Sequence, residues 1–373
     1  MGRQKTLVLG SVLLGLIMLG PSPAVAQEPF RLGEVCFCTG PAPQFGEYCQ
    51  QGLEMALEDV AKEGWIKGRK LEVIREDCQA QPKLGIAGLT KLINVHKVPA
   101  FITYGSSIVL ALAPVAEANK VVLLNTMATS EKIRHAGDFT FSNIGGSEVE
   151  VVQAAEFAFK ELKAKKVGVL YVNNEFGLSG RTVFSEVFGK LGGTVAAAEA
   201  HDIGATDYRT QLTKIRAASP DLIYMYSHDK EVGYALKQAK QLGLTTPWLV
   251  FSGSSAPVTF EIAGPALEGV IMPQWPFDPV GGSAGMKEFA RRYQGKYGKT
   301  PIIYVATCYD GYRLLAEALR AGATSGSEIK DFLYKVKNYE GVSGTINFDR
   351  DGQVVWAARF MVVRDGKLVP HRK

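Results

Sequence analysis

The chain has 373 residues, of which 46% are hydrophobic and 21% are charged, and its formal net charge is +5. This length is more than a single hydrophobic core usually serves, so it predicts about two domains. The apolar content is high enough to fill two cores, which excludes a disordered chain. The sequence has no run of five or more lysines and arginines, which argues against a nucleic-acid partner.

The N-terminus has the three parts of a secretory signal peptide. Arg3 and Lys5 precede an apolar stretch at residues 7–19, and a cleavage site of small residues ends at Ala26. The alternative is a retained membrane anchor, but the stretch is short for a membrane span and is broken by glycine. We therefore predict that residues 1–26 are removed and that the mature chain is a soluble protein of the periplasm.

After the signal peptide, strand-like and helix-like stretches alternate along the chain. Alternation of this kind predicts parallel sheets with helices on both faces. The predicted strands of the first unit are residues 32–38, 71–74, 99–103 and 121–124, and its predicted helices are residues 46–63, 82–96 and 106–119. The pattern then restarts, with predicted helices at residues 148–162, 176–191, 207–217 and 230–242, and predicted strands at residues 166–171, 194–200, 221–225 and 248–251.

The C-terminal part differs from both units. Its predicted helices are residues 285–297, 302–321 and 327–336, and its predicted β-hairpin strands are residues 345–348 and 354–363. A chain that builds two α/β units and then adds further helices and strands can cross between the units more than once.

The sequence lacks the common motifs of α/β enzymes. The turn after the first predicted strand, at residues 39–43, is not a dinucleotide-binding glycine loop. Neither a phosphate-binding G-x-x-x-x-G-K motif nor a G-x-S-x-G nucleophile motif occurs. The histidines, none of them in a metal-binding spacing, are His96, His135, His201, His228 and His371. We therefore predict a binding protein that is not an enzyme and has no cofactor and no metal.

Polar residues follow two neighbouring strands of the first unit, at the edge where open α/β sheets bind ligands. Ser106 and Ser107 open the helix after the strand at residues 99–103, and residues 125–130 follow the next strand. Hydroxyls and free N–H groups at a helix N-terminus can hold an anion. From these residues alone, an anion site and a plain helix cap both remain open.

Short motifs spread over residues 30–370 together point to one family. The motifs are Thr39-Gly40-Pro41, Gln44-Phe45-Gly46, residues 68–73 with Glu76-Asp77, Gly105-Ser106-Ser107, residues 174–177, residues 236–239, residues 262–264, residues 267–270 and Tyr309-Asp310-Gly311. In this order they resemble the periplasmic solute-binding proteins of ABC transporters, in the branched-chain amino acid group with type I lobe topology. Each motif is short, and the specificity lies in their shared order.

The resemblance implies two doubly wound parallel-sheet lobes, joined by three hinge crossovers, that close on one ligand. It places the crossovers near residues 143–147, 272–278 and 348–353. Lobe one would hold residues 27–145 and 278–350, and lobe two residues 146–277 and 351–373. The implied partners are a small-molecule carboxylate and the permease subunits of an ABC importer, and the binding protein itself is expected to be a monomer. The alternative function is a ligand-sensing receptor for small amides or related solutes, and the least favoured hypothesis is an extracellular α/β enzyme.

The resemblance also implies a ligand site between the lobes. The implied residues are Ser106, Ser107, Met127 and Thr129 for a carboxylate, Phe45 and Phe176 as aromatic walls, and His228 or Asp229 toward an ammonium group. Relatives that bind amino acids have an acidic residue where this chain has Ser252. Unless Asp229 replaces it, a buried ammonium would lack a counter-charge, which is unfavourable. We therefore predict a small carboxylate, which is either an amino acid or an aromatic or aliphatic acid without an amine, with Tyr226, Trp275 and Tyr304 as further candidate walls.

The cysteines depart from the family pattern as well. The relatives' cysteine after the second strand is matched by Cys78, but its usual partner is replaced by Gly105. An exported protein can form disulfides, and the resemblance then leaves Cys49 or Cys38 as the partner. We predict the pair Cys49–Cys78, and we expect Cys308 to be a thiol in a helix core.

Overall fold

The first of the two main sheets is entirely parallel. The computed structural model describes residues 1–2 and 28–371. Strands β1 (Phe30–Cys36), β2 (Leu71–Asp77), β3 (Ala100–Thr103), β4 (Val122–Asn125) and β5 (Thr140–Ser142) pair in the order β2-β1-β3-β4-β5. Helices α1 (Pro43–Lys62), α2 (Pro82–Asn94) and α3 (Ser106–Asn119) connect the first four strands. β3 and β4 are buried along their whole length, as expected for central strands covered by helices on both faces.

The second sheet is parallel except at one edge. Its parallel strands are β6 (Lys166–Val172), β7 (Thr194–His201), β8 (Leu222–Tyr226), β9 (Trp248–Val250) and β10 (Ile271–Gln274). Its helices are α4 (Ser147–Lys160), α5 (Glu175–Lys190), α6 (Arg209–Ala217), α7 (Asp229–Gln241) and α8 (Pro257–Ala263). Every residue of β8 is buried, which places this strand in the centre of the sheet.

The chain then returns to the first sheet and crosses once more to the second. The returning helices are α9 (Ala284–Tyr297), α10 (Ile303–Arg320) and α11 (Gly326–Tyr334), of which α10 packs along α1 and α11 against β4. The strands that follow are β11 (Tyr339–Glu340), β12 (Thr345–Ile346), β13 (Arg359–Arg364) and β14 (Lys367–Pro370). β13 and β14 complete the second sheet in the order β14-β13-β10-β9-β8-β6-β7. Lobe one denotes the first sheet with α1–α3 and α9–α11, and lobe two the second sheet with α4–α8.

The two doubly wound lobes predicted from the sequence are confirmed. The chain segments that connect them are residues 143–146, 275–283 and 347–358. The predicted hairpin of residues 345–348 with 354–363 is wrong, because β13 pairs with β10 and β14 instead. The turn that closes the β13–β14 hairpin is Asp365-Gly366, whose φ angles of 49° and 70° suit a two-residue turn between twisted strands.

The third connecting segment pairs with the last residue of β5, directly before the first connecting segment. The N–H of Ser142 donates to the carbonyl of Gly352 at 2.9 Å, and the N–H of Val354 donates to the carbonyl of Ser142 at 3.1 Å. Arg134 of lobe one reaches the ends of both segments. Its guanidinium pairs with the carboxylates of Glu148, Asp349 and Asp351. Backbone pairing and ion pairs therefore tie the two segments together.

The predicted Cys49–Cys78 disulfide is wrong, and the disulfide joins Cys36 to Cys38. β1 ends at Cys36, and the turn that follows brings the two Cα atoms within 5.4 Å of each other, a separation that a disulfide can span. Cys49 on α1 is instead hydrogen-bonded to Cys308 of α10. Cys78 lies against α2, so the two thiols of the predicted pair face different helices. Cys308 is buried, as expected for a helix-core thiol.

The predicted signal peptide, residues 1–26, lies outside the described residues apart from Met1 and Gly2. Within the described part of the chain, no helix combines the length and the apolar character needed to cross a membrane.

Replacing Gly177 by alanine should destabilise the protein, because the first turn of α5 packs directly on β6. A Cβ at Gly177 would lie 1.9 Å from the carbonyl oxygen of Val172, and overpacking of this kind costs roughly 1–3 kcal/mol. Gly189 of the same helix has nothing within 4 Å of an added Cβ, so Gly189→Ala should stabilise the protein by up to about 1 kcal/mol through helix propensity. Urea unfolding measures both changes, and equal effects would contradict this packing.

Candidate functional site

The candidate site is a cavity of about 40 Å³ between the lobes. Its lining residues are Phe37, Phe45, Tyr104, Gly105, Ser106, Met127, Ala128, Phe176, His228 and Tyr304. They lie just after β1, β3, β4 and β8 and in the first turns of α1, α3, α5 and α10. Open α/β sheets bind ligands at this edge. A cavity of this size holds only a few water molecules, so the two lobes are closed on each other.

The predicted site residues divide into two groups. Those that line the cavity are Phe45, Ser106, Met127, Phe176 and His228. The other predicted residues do not line the cavity and form hydrogen bonds to other protein groups instead. They are Ser107, Thr129, Asp229 and Ser252. Sequence analysis missed Phe37, which was assigned to a strand interior, and Tyr104, although Tyr104 directly precedes the motif Gly105-Ser106-Ser107. Tyr304, a predicted wall, lines the cavity.

The N-terminus of α3 faces the cavity. Its N-cap is Gly105, which makes no side-chain capping bond and has φ 79°, a conformation that glycine adopts without strain. Ser106 is the first residue of the helix and not its cap, so the interpretation as a plain serine cap is excluded. Its Oγ is buried and accepts a hydrogen bond from the N–H of Ser130 at 3.2 Å. The helix dipole and the first-turn N–H groups favour an anion here.

The segment after β4 is held by Asn125. The Oδ1 of Asn125 accepts hydrogen bonds from the N–H groups of Met127 at 3.2 Å and Ala128 at 2.8 Å. The Oγ1 of Thr129 lies 3.0 Å from the hydroxyl of Tyr226 in lobe two. The N–H of Met127 and the hydroxyl of Thr129 are therefore already engaged. Of the groups predicted to hold a carboxylate, Ser106 and the start of α3 are the ones that face the cavity.

Aromatic rings from both lobes enclose His228. Phe176 stacks on its imidazole with ring centroids 5.1 Å apart and an interplanar angle of 12°. Phe45 of lobe one meets the same imidazole edge-on, also at 5.1 Å. Burial between these rings lowers the pKa of His228 to about 4, although the charge of Asp229 acts in the opposite direction. His228 is therefore neutral at pH 7 and supplies a polar aromatic surface, not a cation.

Asp229 links the lobes. It is buried at the start of α7, and its Oδ2 accepts a hydrogen bond from the hydroxyl of Tyr48 in lobe one at 3.0 Å. Its Oδ1 accepts one from the N–H of Lys230 at 2.8 Å and a longer one from Gln44 Nε2 at 3.4 Å. Burial raises the pKa of Asp229, and these hydrogen bonds oppose that shift. The carboxylate is thus occupied by protein donors from both lobes.

A second buried carboxyl group lies behind Ser252. Glu150, in the first turn of α4, is 1% exposed, and its carboxyl accepts hydrogen bonds from the N–H of Ser252 at 3.0 Å and from its Oγ at 2.7 Å. Burial raises the pKa of Glu150 to about 8, and the two bonds from Ser252 oppose that shift. Its charge is close enough to Tyr226 and Tyr304 to help raise their pKa values. Glu150 therefore brings an acidic group to the place where the sequence has a serine.

Sequence analysis placed Glu150 within the predicted helix of residues 148–162 and did not single it out. A signal was present in the spacing. Glu150 falls at helical spacing with Val151, Ala154 and Ala158, and all four are buried. A carboxyl group on the apolar face of a helix should therefore have been singled out.

The buried acids Asp229 and Glu150 bond to other protein groups and do not line the cavity. In the described part of the chain, no lysine or arginine lines the cavity. The one group of described side chains with metal-binding spacing is Cys36, Cys38 and Asp77, at the carboxyl ends of β1 and β2. The two sulfur atoms of this group are joined in the disulfide, and a disulfide offers no thiolate to a metal. The arrangement suits reversible binding of a small molecule.

The chain is similar to known proteins along nearly its whole length. The family model described as periplasmic binding protein matches residues 29–367. The leucine-, isoleucine-, valine-, threonine- and alanine-binding protein of Pseudomonas aeruginosa is 26% identical over 340 residues, which cover 89% of each chain.

Two solved structures extend the comparison. The branched-chain amino acid transporter substrate-binding protein LivJ of Streptococcus pneumoniae, in complex with isoleucine, matches with a TM-score of 0.82 and 26% identity over 91% of this chain and 97% of that chain. A solute-binding protein of an ABC transporter from R. palustris, in complex with benzoate, matches with a TM-score of 0.83 and 18% identity over 92% of this chain and 95% of that chain. The second likeness shows a shared fold alone.

The stability of the protein should depend on pH through Glu150. The folded protein keeps the Glu150 proton up to about pH 8, whereas an ordinary glutamate, with a pKa of 4.5, releases it at much lower pH. Unfolding then releases a proton between these values, so the free energy of unfolding falls as the pH rises through this window, by about 1.4 kcal/mol per unit at most. Glu150→Gln cannot ionise and should remove this decline.

The measurement is urea unfolding at pH 5, 6.5 and 8, compared between wild type and the Glu150→Gln variant. Asp310, whose pKa burial raises to about 6, contributes to both proteins and cancels in the difference. Glu156→Gln is the matched control, because this side chain of the same helix is 45% exposed. Parallel stability curves for wild type and Glu150→Gln would contradict a buried protonated Glu150.

Proposed function

Because the chain belongs to the periplasmic binding protein family, in its branched-chain amino acid group, we propose that it captures a small carboxylate between its lobes and delivers it to the permease subunits of an ABC importer. Members of this family are solute-binding proteins and not enzymes. The observation that supports a carboxylate is the N-terminus of α3, whose first turn faces an apolar cavity. The protein would act in the periplasm as a monomer after removal of residues 1–26.

The proposed lobes move as two bodies around the ligand. One body comprises residues 27–145 and 278–350, and the other residues 146–277 and 351–373. Polar contacts across the cleft complete the closed form, and they join Tyr48 to Asp229, Thr129 to Tyr226 and Ser107 to Glu175. A ligand favours closure only by the free energy it gains in the closed form over the open one.

A carboxylate at the start of α3 needs no fixed positive charge. Hydrogen bonds to a charged group contribute about 1.5–3 kcal/mol each, and the helix N-terminus adds about 0.3–1 kcal/mol, more where it is partly buried. Water is largely excluded from the cavity, and such a low-dielectric setting strengthens both contributions. Ser106 is placed to donate its hydroxyl proton to the anion, since its oxygen accepts from Ser130.

The aromatic walls support an apolar body on the ligand. Phe37, Phe45, Phe176 and Tyr304 enclose the space next to Ser106. Isoleucine and benzoate, the ligands of the two structures compared above, each join a carboxylate to an apolar body. The alternative of an amide-sensing receptor is not favoured, because the relatives are binding proteins of transport systems.

Glu150 bears on whether the ligand carries an amine. A protonated Glu150 can donate a hydrogen bond to a ligand but offers no counter-charge to an ammonium group. With a pKa of about 8, its deprotonation at pH 7 costs about 1.4 kcal/mol, which an ammonium ion nearby readily offsets. An amine-bearing ligand therefore binds with release of a proton, and a plain carboxylate binds while Glu150 stays protonated.

Small carboxylates should stabilise the protein in a thermal-shift screen that includes isoleucine, leucine and benzoate, with neutral amides and glucose as controls. A ligand at a hundredfold excess over its Kd adds about 2.7 kcal/mol to the free energy of unfolding. Ser106→Ala should weaken binding about tenfold or more, because it removes a hydrogen bond to a charged group. Ser185→Ala is the matched control, since the Ser185 hydroxyl bonds its own helix at Arg181. Stabilisation by none of the carboxylates would refute the proposal.

The pH dependence of the affinity should show whether the ligand carries an amine. For an amine-bearing ligand, Kd should fall as the pH rises from 6 toward 8, because Glu150 must lose its proton. For a plain carboxylate, Kd should rise over the same window, because ionised Glu150 repels the ligand. Titration calorimetry in buffers of different ionisation enthalpy counts the released protons, and Glu150→Gln should abolish either trend. A trend that survives in this variant would show that another group titrates.

A further inference from the structure

Phe37 lies between the two cysteines of the disulfide and also lines the ligand cavity. Its ring is 6% exposed and packs on Tyr104 with centroids 5.0 Å apart. The N–H of Phe37 donates to the hydroxyl of Tyr104 at 3.2 Å. The side chain and the backbone of Phe37 are therefore both held against the residue that leads into α3.

The ring of Phe37 also touches the N-cap of α3. A Cβ at Gly105 would lie 2.4 Å from the Cζ of Phe37, so only glycine lets the ring approach the helix start this closely. On the other side, a Cβ at Gly46 of α1 would lie 2.3 Å from the carbonyl oxygen of Phe37. Phe37 thus fits tightly between α1, which carries Phe45, and α3, which carries Ser106.

The backbone on either side of Phe37 is fixed. Cys36 is buried at the end of β1, and the disulfide ties it to Cys38 across a single residue. The carboxylate of Asp77, at the end of β2, accepts hydrogen bonds from the N–H groups of Cys38 at 3.0 Å and Thr39 at 3.3 Å. The disulfide closes a loop in which Phe37 is the one residue between the two cysteines. The bond therefore restricts the direction in which the Phe37 ring points.

We propose that the Cys36–Cys38 disulfide positions Phe37 as a residue that selects among ligands by the shape of their apolar body. The inference rests on the proposed function, because it needs a ligand in the cavity that Phe37 lines. A ring held at a fixed angle increases the affinity for a ligand with a flat aromatic body, because the two rings pack on each other. It increases the affinity for a ligand with a branched aliphatic body less. Without the disulfide, Phe37 can turn away from Gly105, and the selectivity decreases.

The test measures the dissociation constants of benzoate and isoleucine and follows their ratio. Phe37→Leu should change the ratio by about three- to tenfold, the range of aromatic pair effects. Cys38→Ser, at an exposed position, should move the ratio in the same direction, and it should have little further effect in a Phe37→Leu background. A residue that only supports the fold would change stability or both affinities alike and would leave the ratio unchanged.

Two further experiments distinguish the effect of the disulfide from the effect of the turn around it. Thr39→Ala removes the hydroxyl bond to Asp77 but leaves the disulfide, so the ratio should stay at the wild-type value. Reduction of wild-type protein with dithiothreitol adds two electrons and two protons to the Cys36–Cys38 bond and gives two thiols and the cyclic disulfide of the reagent. It acts on this bond alone, because the other cysteines are free, and it should reproduce the Cys38→Ser result.

Hydrogen exchange gives a readout that needs no ligand. Loss of the disulfide should raise amide exchange severalfold over residues 104–107, while residues 174–177 of lobe two stay unchanged. A ratio unaffected by Cys38→Ser, or shifted equally in the Phe37→Leu background, overturns the inference. If neither probe binds wild-type protein, the proposed function fails, and exchange still decides the role of the disulfide: unchanged exchange at residues 104–107 overturns it, and raised exchange supports it.

Discussion

The parallel direction of the strands is the constraint on which the rest of the structure depends. All strands of the first sheet run the same way, so the turns after β1, β3 and β4 leave at one edge. The strands β6, β8 and β9 of the second sheet do the same, and the two edges face each other across the cleft. The parallel direction of the strands is therefore sufficient to bring residues that are far apart in the sequence together at the cleft. The starts of α1, α3, α5 and α7 meet there too, because each of these helices follows a strand directly.

Burial and backbone dipoles determine the electrostatics of the cleft. The cleft contains titratable groups, yet burial leaves His228 neutral and raises the pKa of Glu150 and Asp229. Backbone dipoles, which cannot be neutralised by a proton, provide the positive potential at α3. The proposed carboxylate would be held without a buried cation, whose desolvation would be costly. Burial also makes the acids, not the bases, the groups that respond to the charge of a ligand.

Features that depend on neighbouring residues could be predicted from the sequence, whereas features that depend on distant residues could not. The alternating apolar stretches predict both sheets, and Ser106, which follows a strand, was placed at the cleft because a strand end is a local property. His228 was placed there by the family resemblance. Glu150 carried a local signal in its helical spacing with buried residues, but its hydrogen bonds to Ser252, which is 102 positions away, have no local signal. The disulfide was wrong for a different reason: it depends on β1 ending at Cys36 and not two residues later. Strand ends are least certain where a turn competes with one more strand residue.

The pairing of the third connecting segment with the end of β5 has a mechanical consequence. Three segments join the lobes, but the Ser142–Val354 backbone bonds and the Arg134 ion pairs make two of them into a single strap. The lobes are therefore attached at two points, the strap and residues 275–283. Two points define one line, and rotation about that line stretches neither attachment. Twisting of one lobe over the other would pull on both attachments, so the proposed opening and closing would be restricted to rotation about that line.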